Sequence, residues 1–213
     1  MMSANLREPV VFVETTRATV LFADMRGYTG LAELMAPARV VPLLDEFFGV
    51  LANAVGAHGG QVFHMAGDGM MAGFGVHDPD DPGASEALAA GHVMLESFAS
   101  IAARWRRELC IVTGIGIGLH LGEVALGLLG PPGRKFVTLV GDTANVAARL
   151  CSRARTGEVL LSSTVAAALY LGSDVACPAT RSVPFLQLPQ FALPGRSGLL
   201  DIWCIPAAQR VAL

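Results

Sequence analysis

Clustered cysteine is missing from this sequence. Cys110, Cys151, Cys177 and Cys204 stand far apart and form no CxxC pair. That spacing excludes a cysteine-built zinc site and a dense disulfide framework, and reduced thiols in a cytoplasmic protein are the expectation. A basic excess is missing too. Fifteen Lys and Arg against 18 Asp and Glu leave a formal net charge of −3, so a nucleic-acid partner has no broad electrostatic footing, although a few local cations can still hold one nucleotide. Met1–Pro9 has no apolar run of the signal-peptide kind. No internal repeat and no low-complexity linker divides the chain. A clean membrane span is also wanting. The most apolar stretch, Ile111–Gly130, is long enough to cross a bilayer. It nevertheless carries Thr113, His120, Glu123 and glycines at 114, 116, 118, 122, 127 and 130. Glycine at that density disfavours a helix, and a buried β-hairpin turning near Leu121–Gly122 is the expected structure.

What is present suits one folded domain. The chain has 213 residues, 53% of them hydrophobic, which is ample core material. Ala18–Ala23 reads as a central strand, apolar throughout. Helical stretches follow near Tyr28–Met35 and Ala38–Ala57; in the second, Val40, Leu43, Leu44, Phe47, Phe48 and Leu51 recur at helical spacing. Gln61–Met65 and Met70–Phe74 flank Gly67-Asp68-Gly69, the pattern of a hairpin. A polar loop at His77–Gly83 leads to a long helix over Ala84–Arg107. A strand at Phe136–Val140, a helix over Asp142–Arg153, a strand at Glu158–Leu161 and a helix over Ser162–Tyr170 come next. Two closing strands are expected between 182 and 205, around a turn at Pro194–Gly198. Strands and helices alternate but hairpins also occur, so the expectation is an α+β fold with a mixed sheet and helices packed on it.

Two carboxylates stand where they could act together. Asp24 ends the first apolar strand, and Asp68 sits at a hairpin tip. Either alone is an ordinary turn acid. Together at one sheet edge they could share hard cations such as Mg²⁺, which take oxygen ligands and leave positions open for phosphate oxygens. Asn145 and Arg149 lie four apart on a predicted helix and so share a face. They are either two solvated polar residues or a clamp in which Arg forks onto a phosphate and Asn fixes a ribose oxygen.

These segments resemble the class III adenylate and guanylate cyclases. Phe22-Ala23-Asp24-Met25-Arg26-Gly27-Tyr28 is similar to that family's first metal motif, and Gly67-Asp68-Gly69-Met70-Met71-Ala72-Gly73-Phe74 to its second. Gly114–Gly130, with Gly122-Glu123-Val124, resembles its central hairpin. Gly141-Asp142-Thr143-Ala144-Asn145-Val146-Ala147-Ala148-Arg149-Leu150 resembles its Asn/Arg helix, and Leu193-Pro194-Gly195-Arg196 its closing strands. The resemblance implies a ferredoxin-like βαββαβ core. It places the catalytic domain at 17–205, with an N-terminal segment 1–16 and a tail 206–213. It implies cyclisation of a nucleoside triphosphate to a 3′,5′-cyclic nucleotide by two divalent ions, Mg²⁺ or Mn²⁺, held by Asp24 and Asp68. Asn145 would orient the ribose, and Arg149 would stabilise the α-phosphate. The two pairs would come from opposite protomers of a homodimer. Arg134, Lys135 and Arg196 are candidate phosphate contacts.

Base choice departs from the family pattern. His64 stands where adenylate cyclases usually carry lysine, Thr138 aligns with the partner position, and Val137 stands where many relatives have tyrosine. A neutral imidazole can donate to adenine N1 while Thr138 accepts, but it can also accept from guanine N1–H. ATP is the first expectation, with GTP or a pyrimidine triphosphate as alternatives. A degenerate fold that binds nucleotide in order to regulate a partner is another.

Overall fold

The computed structural model describes residues 13–131, 133–171, 185–192 and 199–206. Cys177, the 193–196 segment with Arg196, the Pro194–Gly198 turn and the tail beyond 206 lie outside the described residues. In chain order the elements are β1 (Val13–Arg26), α1 (Tyr28–Leu34), α2 (Pro37–Ala57), β2 (Gln61–Ala66), β3 (Gly69–Phe74), α3 (Ala84–Leu109), β4 (Gly114–Leu129), β5 (Phe136–Val140), α4 (Asp142–Arg153), β6 (Val159–Ser162), α5 (Ser163–Leu171), β7 (Leu186–Ala192) and β8 (Leu199–Ile205).

Among the described residues the strands form one mixed sheet in the order β2-β3-β1-β4-β6-β8-β7, with β5 paired to β4. Only β4 and β6 run parallel. The β4-β1-β3-β2 half, with α1 and α2 crossing between β1 and β2 and α3 between β3 and β4, is the ferredoxin-like unit.

Side-chain alternation along β1 separates two cores. Leu21, Ala23 and Met25 join Ile115, Ile117, Leu119 and Leu121 of β4 beneath α2 and α3. Ala18 and Val20 face the opposite side, with Val124, Leu126 and the α4 residues Ala144 and Ala147. By length and composition α2 could cross a membrane, yet its Phe47, Leu51, Ala54 and Val55 are buried against the sheet. The Phe47 ring meets Phe98 of α3 at 5.2 Å between centroids. Trp105, also on α3, donates its indole N–H to Glu46 at 3.0 Å.

The expected hairpin at Leu121–Gly122 is not formed. β4 is one 16-residue strand, paired without a break to β1 from Val13↔Gly127 to Arg26↔Gly114. The glycines at 114, 116, 118 and 122 do not mark a turn. They share one face of β4 with His120, and α4 lies directly on those at 118 and 122, while 114 and 116 face Thr156 and the Arg26 guanidinium. A Cβ on Gly118 would run into the backbone of Ala147 and Cys151, and one on Gly122 would sit 2.6 Å from Thr143 Oγ1. The true hairpin lies one segment later, where β4 turns back into β5 after Gly130.

Candidate active site

Asp24 sits near the end of β1, opposite Gly69 of β3 on one side and Gly116 of β4 on the other. Asp68 is next to Gly69 in the β2–β3 turn, and its carbonyl accepts the Met25 amide at 3.0 Å. That turn has two central residues, Gly67 and Asp68, between the paired Ala66 and Gly69. Gly67 has φ +60°, which matches the hairpin turn needing positive φ only at its first central residue. The Asp-Gly pair is therefore not the centre of the turn, and the reversal presents Asp68 at its tip beside the end of β1.

Electrostatics register this proximity. Burial, and then the charge of Asp68, push the Asp24 carboxyl above its ordinary value, while Arg26 pulls the other way. Two carboxylates this close form an oxygen donor pair suited to a hard cation. Among the described residues no group of three or more His, Cys, Asp and Glu side chains gathers. A cation here would rest on this pair, with its remaining positions open to substrate and water.

A cavity of about 320 Å³ opens at the pair, lined also by Phe22, His64, Met71, Ala148, Cys151 and Ser152. His64 reaches it through an irregularity. The register passes from Val62↔Ala72 to His64↔Met71, so Phe63 is an extra residue in β2. Phe63 is buried, and His64, Met65 and Ala66 beyond it are all exposed. Such a bulge re-aims the side chains that follow it.

Asn145 and Arg149 do not line this cavity. Both are exposed on α4, and among the described residues neither side chain has a hydrogen-bonding or ionic partner. Ala148 and Ser152 of the same helix do reach the cavity. Thr138 is buried on β5 opposite Gly127 and does not line the cavity with His64. Arg134 and Lys135 are exposed in the loop before β5.

Sequence reasoning passed over Arg26. Its guanidinium pairs with Asp24, donates from Nη2 to the Cys151 carbonyl, and donates from Nε to the Ala154 carbonyl at 3.0 Å. Positions 24 and 26 share a face by strand alternation, and that was the available signal. Cys151, packed beside them, donates its thiol to the Gly116 carbonyl at 3.2 Å. Burial pushes that thiol up to about 12, so it stays protonated and serves as a packed donor, not a nucleophile.

The likeness to known proteins covers this whole architecture. A family model for the adenylate and guanylate cyclase catalytic domain matches residues 10–196. An adenylate cyclase of Anabaena cylindrica is 33% identical over 144 residues, 64% of this chain and 27% of that protein. An uncharacterized protein of Mycobacterium tuberculosis is 35% identical over 154 residues, 72% of this chain and again 27% of the relative. The chain thus spans about a quarter of the length of these curated relatives. Among solved structures, the adenylyl cyclase CyaB from P. aeruginosa superposes with a TM-score of 0.82 at 23% identity, covering 95% of this chain and 100% of that one. The guanylyl cyclase Cya2 does so with a TM-score of 0.79 at 26% identity, covering 94% and 97%. The chain belongs to the adenylate and guanylate cyclase catalytic domain family.

Proposed function

We propose that this domain converts a nucleoside triphosphate, ATP first, into a 3′,5′-cyclic monophosphate and pyrophosphate at clefts shared by two copies of the chain. The observation that carries this reading is the Asp24–Asp68 pair at a cavity of about 320 Å³, where the charge of Asp68 adds to burial in raising the Asp24 carboxyl above its ordinary value. Two divalent ions, Mg²⁺ or Mn²⁺, would supply Lewis-acid activation of the ribose 3′-hydroxyl and neutralise charge on the phosphates. Asp24 and Asp68 hold them. Asn145 orients the ribose, and Arg149 stabilises charge building on the α-phosphate oxygens.

The exposure of Asn145 and Arg149, without partners among the described residues, supports their use by a second copy. Exposed apolar side chains, Met65 on β2, Leu129 on β4 and Phe136, Val137 and Val140 on β5, give that copy a surface to cover. Within such a cleft His64 and Thr138 read the base edge, and Arg134, Lys135 and Arg196 are candidate contacts for the triphosphate. A cytoplasmic setting supplies the substrate.

The test is direct. Purified protein is incubated with Mn²⁺ and each of the four ribonucleoside triphosphates, and cyclic products are resolved by chromatography. A cyclic nucleotide, with cAMP in excess, is expected. No cyclic product from any of the four would replace this reading with that of a nucleotide-binding regulatory domain.

A further inference from the structure

Arg26 performs a task that neither metal binding nor substrate contact explains. Three of its guanidinium bonds run to oxygens on two different elements. One goes to the Asp24 carboxylate on its own strand, and two go to the carbonyls of Cys151 and Ala154 at the end of α4. Cys151 lies in the last turn of α4, where a cation is favoured, and Ala154 is the extended residue that caps it, its amide bonding back to the Cys151 carbonyl at 3.1 Å. Space for the group is built in. A side chain at position 116 would collide with the guanidinium, coming within 2.8 Å of Nε, and glycine stands there. The strand end is braced from behind as well, by Thr113 Oγ1 donating to the Arg26 carbonyl at 2.8 Å.

We propose that Arg26 is a positioning residue: it locks the metal acid Asp24 to the end of α4, the helix that carries Asn145 and Arg149, and it yields its bond to Asp24 when a divalent ion takes that carboxylate. This rests on the proposed shared site. Under that reading Asp24 and α4 of one chain serve opposite clefts, so Arg26 is a mechanical link between the two clefts of the dimer. The two bonds to α4 carbonyls do not involve the carboxylate and survive metal binding. The guanidinium then stays in place as a fixed positive charge beside the metal pair, while α4 keeps its anchor.

Two variants separate charge from geometry. Arg26→Lys keeps the charge but cannot fork onto Asp24 and two carbonyls at once. Arg26→Gln loses the charge. Three readouts are taken on the full chain: Mn²⁺ affinity from the electron paramagnetic resonance signal of free Mn²⁺, kcat and KM for the triphosphate, and amide exchange of the 142–155 segment. Arg26→Lys is expected to bind Mn²⁺ within about twofold of wild type, yet to lose roughly tenfold in kcat at little-changed KM, as a misplaced α4 would cause. Arg26→Gln is expected to bind Mn²⁺ several-fold more tightly, because a competing cation is gone, while turning over at least about tenfold more slowly. Both should exchange faster at the α4 end.

Tighter metal with slower turnover is the signature that a merely structural lesion does not produce, since damage to the fold weakens both. Wild-type kcat in Arg26→Lys overturns the inference, as does Arg26→Gln binding Mn²⁺ no more tightly than wild type. Should Arg26→Gln fail to fold, Arg26→Lys decides alone. A wild-type chain that binds no Mn²⁺ overturns the site reading and this inference together, whereas wild-type binding with unaltered variants overturns this inference only.

Discussion

At the scale of single residues, Asp24 is held at a cost. Its folded-state pKa is raised, chiefly by burial and then by Asp68. The native state therefore binds more protons than the unfolded chain in the window just above the ordinary carboxylate range, and stability falls as pH rises through that window. Asp24→Asn removes the unfavourable charge. In EDTA at pH 7 the variant should melt at a higher temperature than wild type, with the gap closing as pH falls toward the carboxylate range. Thermal unfolding across that range measures it, and a variant less stable at pH 7 would contradict the account. Activity should vanish in the same protein. Arg149→Ala should show the opposite split. Its exposed side chain makes no hydrogen bond or ion pair among the described residues, so stability and Mn²⁺ binding should hold while kcat drops about 100-fold or more. The two acids were readable from sequence because one ends an apolar strand and the other sits in a Gly-flanked turn. Arg26 was not, because the significance of a strand-end arginine depends on which helix carbonyls come to lie above it. The aim of His64 was hidden as well, since it follows from the bulge at Phe63 and no residue type announces that bulge.

At the scale of elements, the glycine stripe of β4 decides how α4 sits. The sequence shows those glycines plainly, but local rules read them as a turn or a weak strand. Their cause is tertiary: a helix backbone presses on the sheet, and β1 is long enough to pair with β4 along its whole length. Helices and other strands were recoverable because their signals are local, as in α2 with its periodic apolar positions and β2–β3 with its Gly-Asp turn. The packing makes a graded prediction. Gly118→Ala drives a methyl into the backbone of Ala147 and Cys151, which cannot rotate away, and should cost about 3 kcal/mol. Gly122→Ala meets the Thr143 hydroxyl. That side chain can turn aside at the loss of its 2.6 Å bond to the Glu123 carbonyl, for a cost of about 1 kcal/mol. Urea unfolding of the two variants should preserve that order, and a reversed order would mean that α4 does not rest on this stripe.

At the scale of the whole molecule, the proposed function gives each chain two unlike half-sites. The carboxylates open on the end of β1 and β3, and the Asn145/Arg149 face of α4 points outward. On that proposal one chain would offer acids to one cleft and an Asn/Arg pair to another, and a two-fold dimer would make both clefts equivalent. The consequence can be counted. Asp24→Ala and Arg149→Ala homodimers each have two broken clefts. Mixed in equal amounts and allowed to exchange, about half the dimers pair one chain of each kind. In such a heterodimer one cleft receives both lesions and the other receives none. Since about half the dimers then have one good cleft of two, activity should return to about a quarter of the wild-type level at equal total protein. The recovered enzyme should show wild-type KM, because its working cleft is unaltered. Subunit exchange is verified independently by pulling down one tagged chain with the other. Exchange without recovered activity would mean that the acids and the Asn/Arg pair of one chain serve the same cleft, and the exposed Asn145/Arg149 face of α4 would then have to turn toward Asp24 of its own protomer.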